Sequence, residues 1–320
     1  MKYRRLGSSG CKVSVLSLGS WLTFGSSVDD AGTERCVRAA VEAGINFFDT
    51  ADIYAYGAAE RSLGQALRPY RRQDYVLATK TFWPMSENVN DRGLSRKHLM
   101  EACEASLQRL HTDYVDLYQC HRFDPDTPTE EVVRAMEDLI RQGKVLYWGV
   151  SVWTAAQIAE ACAIADRVLG YRPITNQPQY NLLDRSIEPE IMPAAAQRGM
   201  GQIVFCPLAQ GLLTGKYADG SVPSESRAAD EQRGGFLRPK LTERNLAASR
   251  TLVAEANQLG ITPAQLALAW ILRRGEVTSA IVGATRPEQI TENAKAADLE
   301  LPYDVLARLD TLTAPGEKTA

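Results

Sequence analysis

The stretch GINFFDTADIYAYGAAERSLG, Gly44–Gly64, decides how the chain is read. Ile45 to Phe48 is a short apolar strand that ends in Asp49 and Thr50. An aromatic loop with Tyr54 and Tyr56 follows, and from Gly57 the run Ala58, Ala59, Glu60, Leu63, Ala66, Leu67 begins a helix. Asp49 and Tyr54 therefore share one strand-to-helix loop. In parallel α/β folds such loops carry the chemistry.

Outward from that stretch, apolar runs that read as buried parallel strands recur at 75–80, 114–119, 145–150, 174–177, 201–205 and 278–282. Residues 1 to 19 read as a hairpin with turn residues Gly7 to Gly10, and its run Val13 to Leu18 completes a set of eight strands. Helical spacing separates most of them. Leu99, Cys103, Leu107 and Leu110 recur behind Ser95, while Thr127, Pro128 and Glu130 read as a capping box with Gly143 closing that helix. The alternation predicts an α/β (β/α)8 TIM barrel with an N-terminal hairpin, in one domain over 1–320. Gly211 to Pro239, rich in Gly, Ser, Pro and Arg, reads as a long loop after the seventh strand, followed by helices at about 243–258 and 263–273. An open doubly wound sheet is the alternative. Its glycine fingerprint has a near match only at Gly199 and Gly201, which precede a strand instead of following one.

Composition narrows the function. The chain has 320 residues, 45% hydrophobic and 23% charged, enough for a full core. It has no apolar run of roughly 18 residues and no greasy N-terminal core, so a soluble, cytoplasmic protein without membrane insertion is expected. A net charge of −3 without a dense basic cluster argues against nucleic acid and for a small-molecule partner. The six cysteines have no paired short spacing, so neither a disulfide framework nor a metal site is expected.

In a barrel, the strand ends are where functional groups belong. They carry Asp49, Lys80, His121, Ser151, Gln177, Phe205 with Pro207, and Gly283. These types suit carbonyl reduction. Tyr54 would deliver a proton, Lys80 would lower a phenol value that is ordinarily near 10, Asp49 would hold Lys80 charged, and His121 would orient the carbonyl. Thr285 and Glu288 read as a capping box opening the eighth helix toward an anion, and Arg286 suits a phosphate. Trp21, Tyr56, Trp83 and Trp153 lie near strand ends as candidate substrate-pocket aromatics. Asp52 reads as a loop cap, and His98 and His111 as residues of the opposite, stability face.

The stretches DTADIYAYGAAERSLG, ATK, DLYQCHRFDP and GATRPEQITEN together resemble the aldo-keto reductase superfamily over essentially the whole chain. TPTEEVVRAMEDLIRQGKVLYWGVSVW and PLAQGLLTGKY resemble the branch that includes voltage-gated potassium channel β subunits and their microbial relatives. The resemblance implies an NADPH-dependent reductase of aldehydes and some ketones, with Asp49, Tyr54, Lys80 and His121 as the catalytic tetrad. It places the nicotinamide carboxamide on Ser151 and Gln177, the ring on Phe205 and the pyrophosphate on Pro207, Leu208, Gly211, Lys216 and Arg227. Gly283, Thr285, Arg286, Gln289, Glu292 and Asn293 meet the adenosine end, and Trp21 adds a cofactor contact. Val152 departs from the Asn or Arg usual in relatives. From another class comes a cofactor-sensing subunit docking on a membrane protein, and from a third a lyase or aldolase using Lys80 as a Schiff base. The channel-subunit likeness leaves room for a homo-oligomer.

Overall fold

The computed structural model describes residues 1–224, 226–231 and 233–318. Two short strands, β1 (Tyr3–Arg5) and β2 (Lys12–Ser14), pair antiparallel in a hairpin. The barrel strands are β3 (Leu16–Gly19), β4 (Phe47–Asp49), β5 (Val76–Thr81), β6 (Val115–Cys120), β7 (Val145–Val150), β8 (Thr175–Asn176), β9 (Gly201–Val204) and β10 (Val277–Gly283). They pair in chain order, all parallel, and β10 closes on β3 with Ala280 opposite Leu16 and Gly283 opposite Gly19. All eight expected strands are present. The run Val13 to Leu18, expected as one strand, is split at Val15: its first part stays in the hairpin and its second joins the barrel. The Val15 carbonyl already accepts from Ala280 of β10, while its amide still donates to Lys2 beside the hairpin.

Helices α1 (Asp30–Glu42), α2 (Ala58–Leu67), α3 (Arg96–Leu110), α4 (Thr129–Arg141), α5 (Ala155–Arg167), α6 (Ile191–Ala196), α7 (Glu243–Leu259), α8 (Pro263–Leu272), α9 (Pro287–Ala294) and α10 (Tyr303–Asp310) follow the strands. Ser95 caps α3 as expected, accepting from the His98 amide. The box expected before α4 does not form. Thr127 donates instead to Asp124 Oδ2 at 2.7 Å, and Pro128 is the N-cap without a side-chain bond. Helices α2 and α3 pack closely because Gly64 lacks a side chain. A Cβ there would sit 2.6 Å from the Leu110 carbonyl oxygen.

Strand alternation sorts the core into two layers. Phe48, Leu16, Leu18 and Leu77 face outward under the helices. Phe47, Ala78, Leu117, Ile203 and Ile281 face inward, where Leu6 and Val13 from the hairpin plug the N-terminal end. Two residues beyond each inward apolar side chain stands a residue of the next layer. Phe47 leads to Asp49, Ala78 to Lys80, Leu117 to Gln119 and then His121, Ile203 to Phe205, and Ile281 to Gly283. An apolar floor thus carries a polar layer at the C-terminal mouth.

Candidate active site at the barrel mouth

Lys80 sits at the centre of the polar layer with a fully buried side chain. Its Nζ donates to Asp49 Oδ1 at 2.6 Å and to the Thr50 carbonyl at 2.7 Å, and lies 3.4 Å from the Tyr54 hydroxyl. Burial alone would lower the Lys80 pKa, but Asp49 and Tyr54 outweigh it and hold the ammonium above its ordinary value. Asp49 has its second oxygen saturated, since Gln177 Nε2 donates to Oδ2 at 2.9 Å and Gln119 Nε2 approaches at 3.5 Å. The carboxylate is 3% exposed. A buried ion pair is tolerable only when its remaining lone pairs and protons are satisfied in this way.

Tyr54 enters from a strained turn. Ala55 and Tyr56 have φ of 48° and 49°, and Gly57, at 83°, leads into α2. Non-glycine residues in the left-handed region cost of order 1–3 kcal/mol each where the structure over-determines them. The turn leaves Tyr54 partly accessible beside Lys80 and the Tyr56 ring 69% exposed. The Tyr54 phenol differs from expectation. Burial raises its pKa most, Lys80 lowers it and Asp49 raises it, and on balance it stands above 10. The group is a protonated phenol at neutral pH.

His121 packs edge-on against the Tyr54 ring, with centroids 5.6 Å apart. Burial, Lys80 and Arg122 push its pKa well below the ordinary imidazole value, so the ring is neutral. Its amide is anchored on the Thr81 carbonyl at 3.0 Å, and its Nδ1 is buried without a protein partner. A neutral imidazole with a free nitrogen beside a phenol can orient a polar oxygen between them.

The remaining predicted residues fall into three groups. Ser151 Oγ donates to the Gln177 carbonyl at 2.8 Å, which ties these neighbouring strand ends together. Gln177 has its Nε2 on Asp49, so its oxygen is turned away from that bond. Val152, between Ser151 and Trp153, is 45% exposed at φ 58°, an uncommon backbone for a β-branched side chain.

The second group follows β9. Phe205 is half-buried and packs above the inner core. Beyond it Cys206, Ala209, Gln210 and Gly211 all have positive φ. Pro207 is buried in this loop and Leu208 half-buried. A Cβ on Gly211 would lie 3.1 Å from Lys216 Nζ, so the glycine keeps open a cradle under a cation. Among the described residues Lys216 and Arg227 form no ion pair; Lys216 Nζ lies 5.1 Å over the Tyr217 ring, and burial lowers the Arg227 pKa. An open cradle with two uncompensated cations fits a diphosphate. The expected long loop runs on through short turns, and its Phe236 meets Trp21 edge-on at 5.5 Å.

The third group is the start of α9. Its N-cap is Arg286, and Gln289 Oε1 accepts from the amides of Thr285 at 2.9 Å and Arg286 at 3.3 Å. The expected pairing of Thr285 with Glu288 is thus replaced by Gln289. Gly283, Thr285, Arg286 and Glu292 are exposed, and Asn293 is buried. Of the pocket aromatics, Trp83 is 38% exposed and 6.3 Å from the His121 ring, whereas Trp153 is buried against Phe123 at 5.0 Å.

Residues 15–314 match the aldo/keto reductase family. The chain belongs to that family. A rice (Oryza sativa subsp. japonica) protein named as a probable voltage-gated potassium channel subunit beta is 46% identical over 302 residues, 93% of this chain and 92% of its own. An Arabidopsis thaliana protein of the same name matches at the same identity and coverage. A Schizosaccharomyces pombe protein, named as a putative subunit of that kind, is 43% identical over 319 residues, 97% of this chain and 92% of its own. Membership makes the chain an oxidoreductase of the aldo/keto reductase type. Among the described residues no helix is long and apolar enough to cross a membrane.

Three features of the site were not expected. His98, assigned to the opposite face, lies behind the site: its Nε2 is 3.1 Å from Thr81 Oγ1 and Asp91 is 3.6 Å from its Nδ1. The first turn of a helix that follows a strand starts near that strand's C-terminal end, and this spacing was the available signal. Gln119 stands out as a polar residue at inward parity in the apolar strand DLYQC. Asp52 caps its loop as expected, its Oδ1 accepting from the Ile53 amide at 2.6 Å, but it is fully buried, and burial pushes its carboxyl up to about 7.

Asp52 yields a pH prediction. Its folded pKa lies above the unfolded 3.8, so the native state holds the proton more tightly. Stability then falls as pH rises from about 4 to about 7. Asp52→Asn should remove this slope and gain on the order of 3 kcal/mol relative to wild type between pH 4 and pH 8. Urea unfolding at both pH values measures it, and parallel pH dependences in the two proteins would refute it.

Proposed function

We propose that this protein reduces aldehydes, and some ketones, to alcohols with NADPH. The observation that carries the proposal is the Lys80 ammonium held between Asp49 and the Tyr54 hydroxyl, with the neutral His121 ring against the phenol. When bound, the reduced nicotinamide supplies a hydride to the carbonyl carbon. Tyr54, protonated at neutral pH, donates its proton to the oxygen as negative charge develops there. The phenolate left behind is stabilised by the ammonium 3.4 Å away, and Asp49 keeps that ammonium charged and in place. His121 donates to the same oxygen and fixes the carbonyl's approach. Tyr54 and His121 are thus the pair that touches the reacting oxygen.

The chain's own groups would hold the cofactor along the mouth. Ser151 Oγ and the Gln177 side-chain oxygen offer acceptors to a carboxamide, and Phe205 offers a ring face. Lys216, Arg227 and the Gly211 cradle would take the pyrophosphate, and Arg286 a 2′-phosphate. Removing Arg286 as Arg286→Ala should weaken NADPH at least about tenfold more than NADH, the worth of one charge-assisted phosphate contact. Fluorescence titration with each cofactor reads this, and equal losses would remove the argument for NADPH.

A second reading, supported by the names of the three relatives, is a cofactor-binding subunit that assembles with a membrane protein. One experiment separates the two. Purified protein is mixed with NADPH and an aldehyde panel that includes methylglyoxal and nitrobenzaldehyde. Turnover supports the reductase; tight NADPH binding with no turnover on any carbonyl supports the subunit. A borohydride-trapped adduct on Lys80 would overturn both in favour of Schiff-base chemistry.

A further inference from the structure

Arg122, the residue after His121, has no place in the chemistry above. Its Nη1 donates to the His121 carbonyl at 2.5 Å, and its guanidinium lies 5.6 Å from the Trp83 ring centroid. Trp83 in turn stands beside His121, and His121 beside Tyr54. The cation therefore belongs to the same rim as the proposed proton donor, and its charge lowers the pKa of both Tyr54 and His121.

Arg122 is half-buried, burial lowers its own pKa, and among the described residues no carboxylate pairs with it. Two other partly buried arginines are compensated, Arg72 by Asp116 and Arg109 by Glu60, both at 2.6 Å. The acid two positions away is engaged elsewhere: Asp124 accepts from the Leu94 amide, the Thr127 hydroxyl and the Asp126 amide. A desolvated guanidinium without a counter-ion is costly unless a ligand supplies one. The diphosphate is not placed to do so. Arg122 and Trp83 stand at the ends of β6 and β5, across the barrel from β9 and β10, whose loops carry Lys216, Arg227 and Arg286.

We propose that Arg122 determines specificity and that the favoured substrates are aldehydes bearing a carboxylate, bound bidentately by the guanidinium with the apolar body against Trp83. This rests on the reductase reading of the preceding section. It asks of the substrate a charged end beyond the reach of His121 and Tyr54, and an apolar or aromatic spacer between the two ends.

The test compares 4-carboxybenzaldehyde with its neutral methyl ester at saturating NADPH, so that spacer and reacting carbonyl are shared. The ratio of their kcat/KM values should favour the acid in wild type and fall by about tenfold or more in Arg122→Met, with partial recovery in Arg122→Lys. A general folding defect moves both substrates and cancels in the ratio. The same ratio in wild type and Arg122→Met overturns the proposal while leaving the reductase reading intact. If neither aldehyde is turned over, benzoate titrated calorimetrically into protein with excess NADP decides: weaker binding by Arg122→Met supports the carboxylate site, and equal binding overturns it.

Discussion

Tyr54→Phe should lower kcat for the proposed aldehyde reduction by about 10² to 10⁴, the usual contribution of a placed general acid, and leave NADPH affinity within a few-fold of wild type. The substitution removes one oxygen and keeps the ring that packs against His121 at 5.6 Å, so the turn at Ala55 and Tyr56 is preserved. The sign of the phenol's shift adds a pH signature. Because the Tyr54 pKa stands above 10, reduction should hold its rate through mildly alkaline pH without a limb from tyrosine ionisation. Stopped-flow single turnovers of both proteins measure the chemical step directly. A variant that reduces aldehydes at the wild-type rate would remove Tyr54 as donor.

Breaking the Asp49–Lys80 pair should be the largest stability effect in the molecule. Asp49→Ala strands an ammonium with a fully buried side chain and costs about 3–5 kcal/mol, the penalty of an uncompensated buried charge. Lys80→Met should cost less, since the Asp49 carboxylate keeps the Gln177 donor at 2.9 Å and the longer Gln119 contact. Asp49→Ala combined with Lys80→Met removes both charges, and should lose clearly less stability than the sum of the single changes. Urea unfolding of the four proteins closes the cycle. Additive losses would mean that the pair is not coupled and that Asp49 does not hold the ammonium.

The barrel was legible because its strands are apolar runs of strand length bounded by polar groups, and because side-chain parity is a local property. Asp49, Lys80 and His121 each follow such a run, and that alone marked them. Pairing partners were less visible. Val13 to Leu18 reads as one strand, yet only tertiary pairing tells that Val15 leaves the hairpin for β10. Capping competes among nearby side chains in the same way. Asp124 takes Thr127 from the expected box, and Gln289 takes the place of Glu288. Non-local electrostatics was the least legible. Sequence gives the sign of the Lys80 effect on Tyr54 but not the burial that outweighs it, and that no carboxylate among the described residues pairs with Arg122 appears only in three dimensions.

In the proposed reaction the site moves a hydride from NADPH to a carbonyl carbon. This transfer is tested most directly with NADPH deuterated at the transferable nicotinamide position, an aldehyde substrate, and mass analysis of the alcohol. The expected alcohol carries one deuterium on the former carbonyl carbon and none from solvent at that carbon. Alcohol without deuterium, or no alcohol from a protein that binds NADPH, would contradict it.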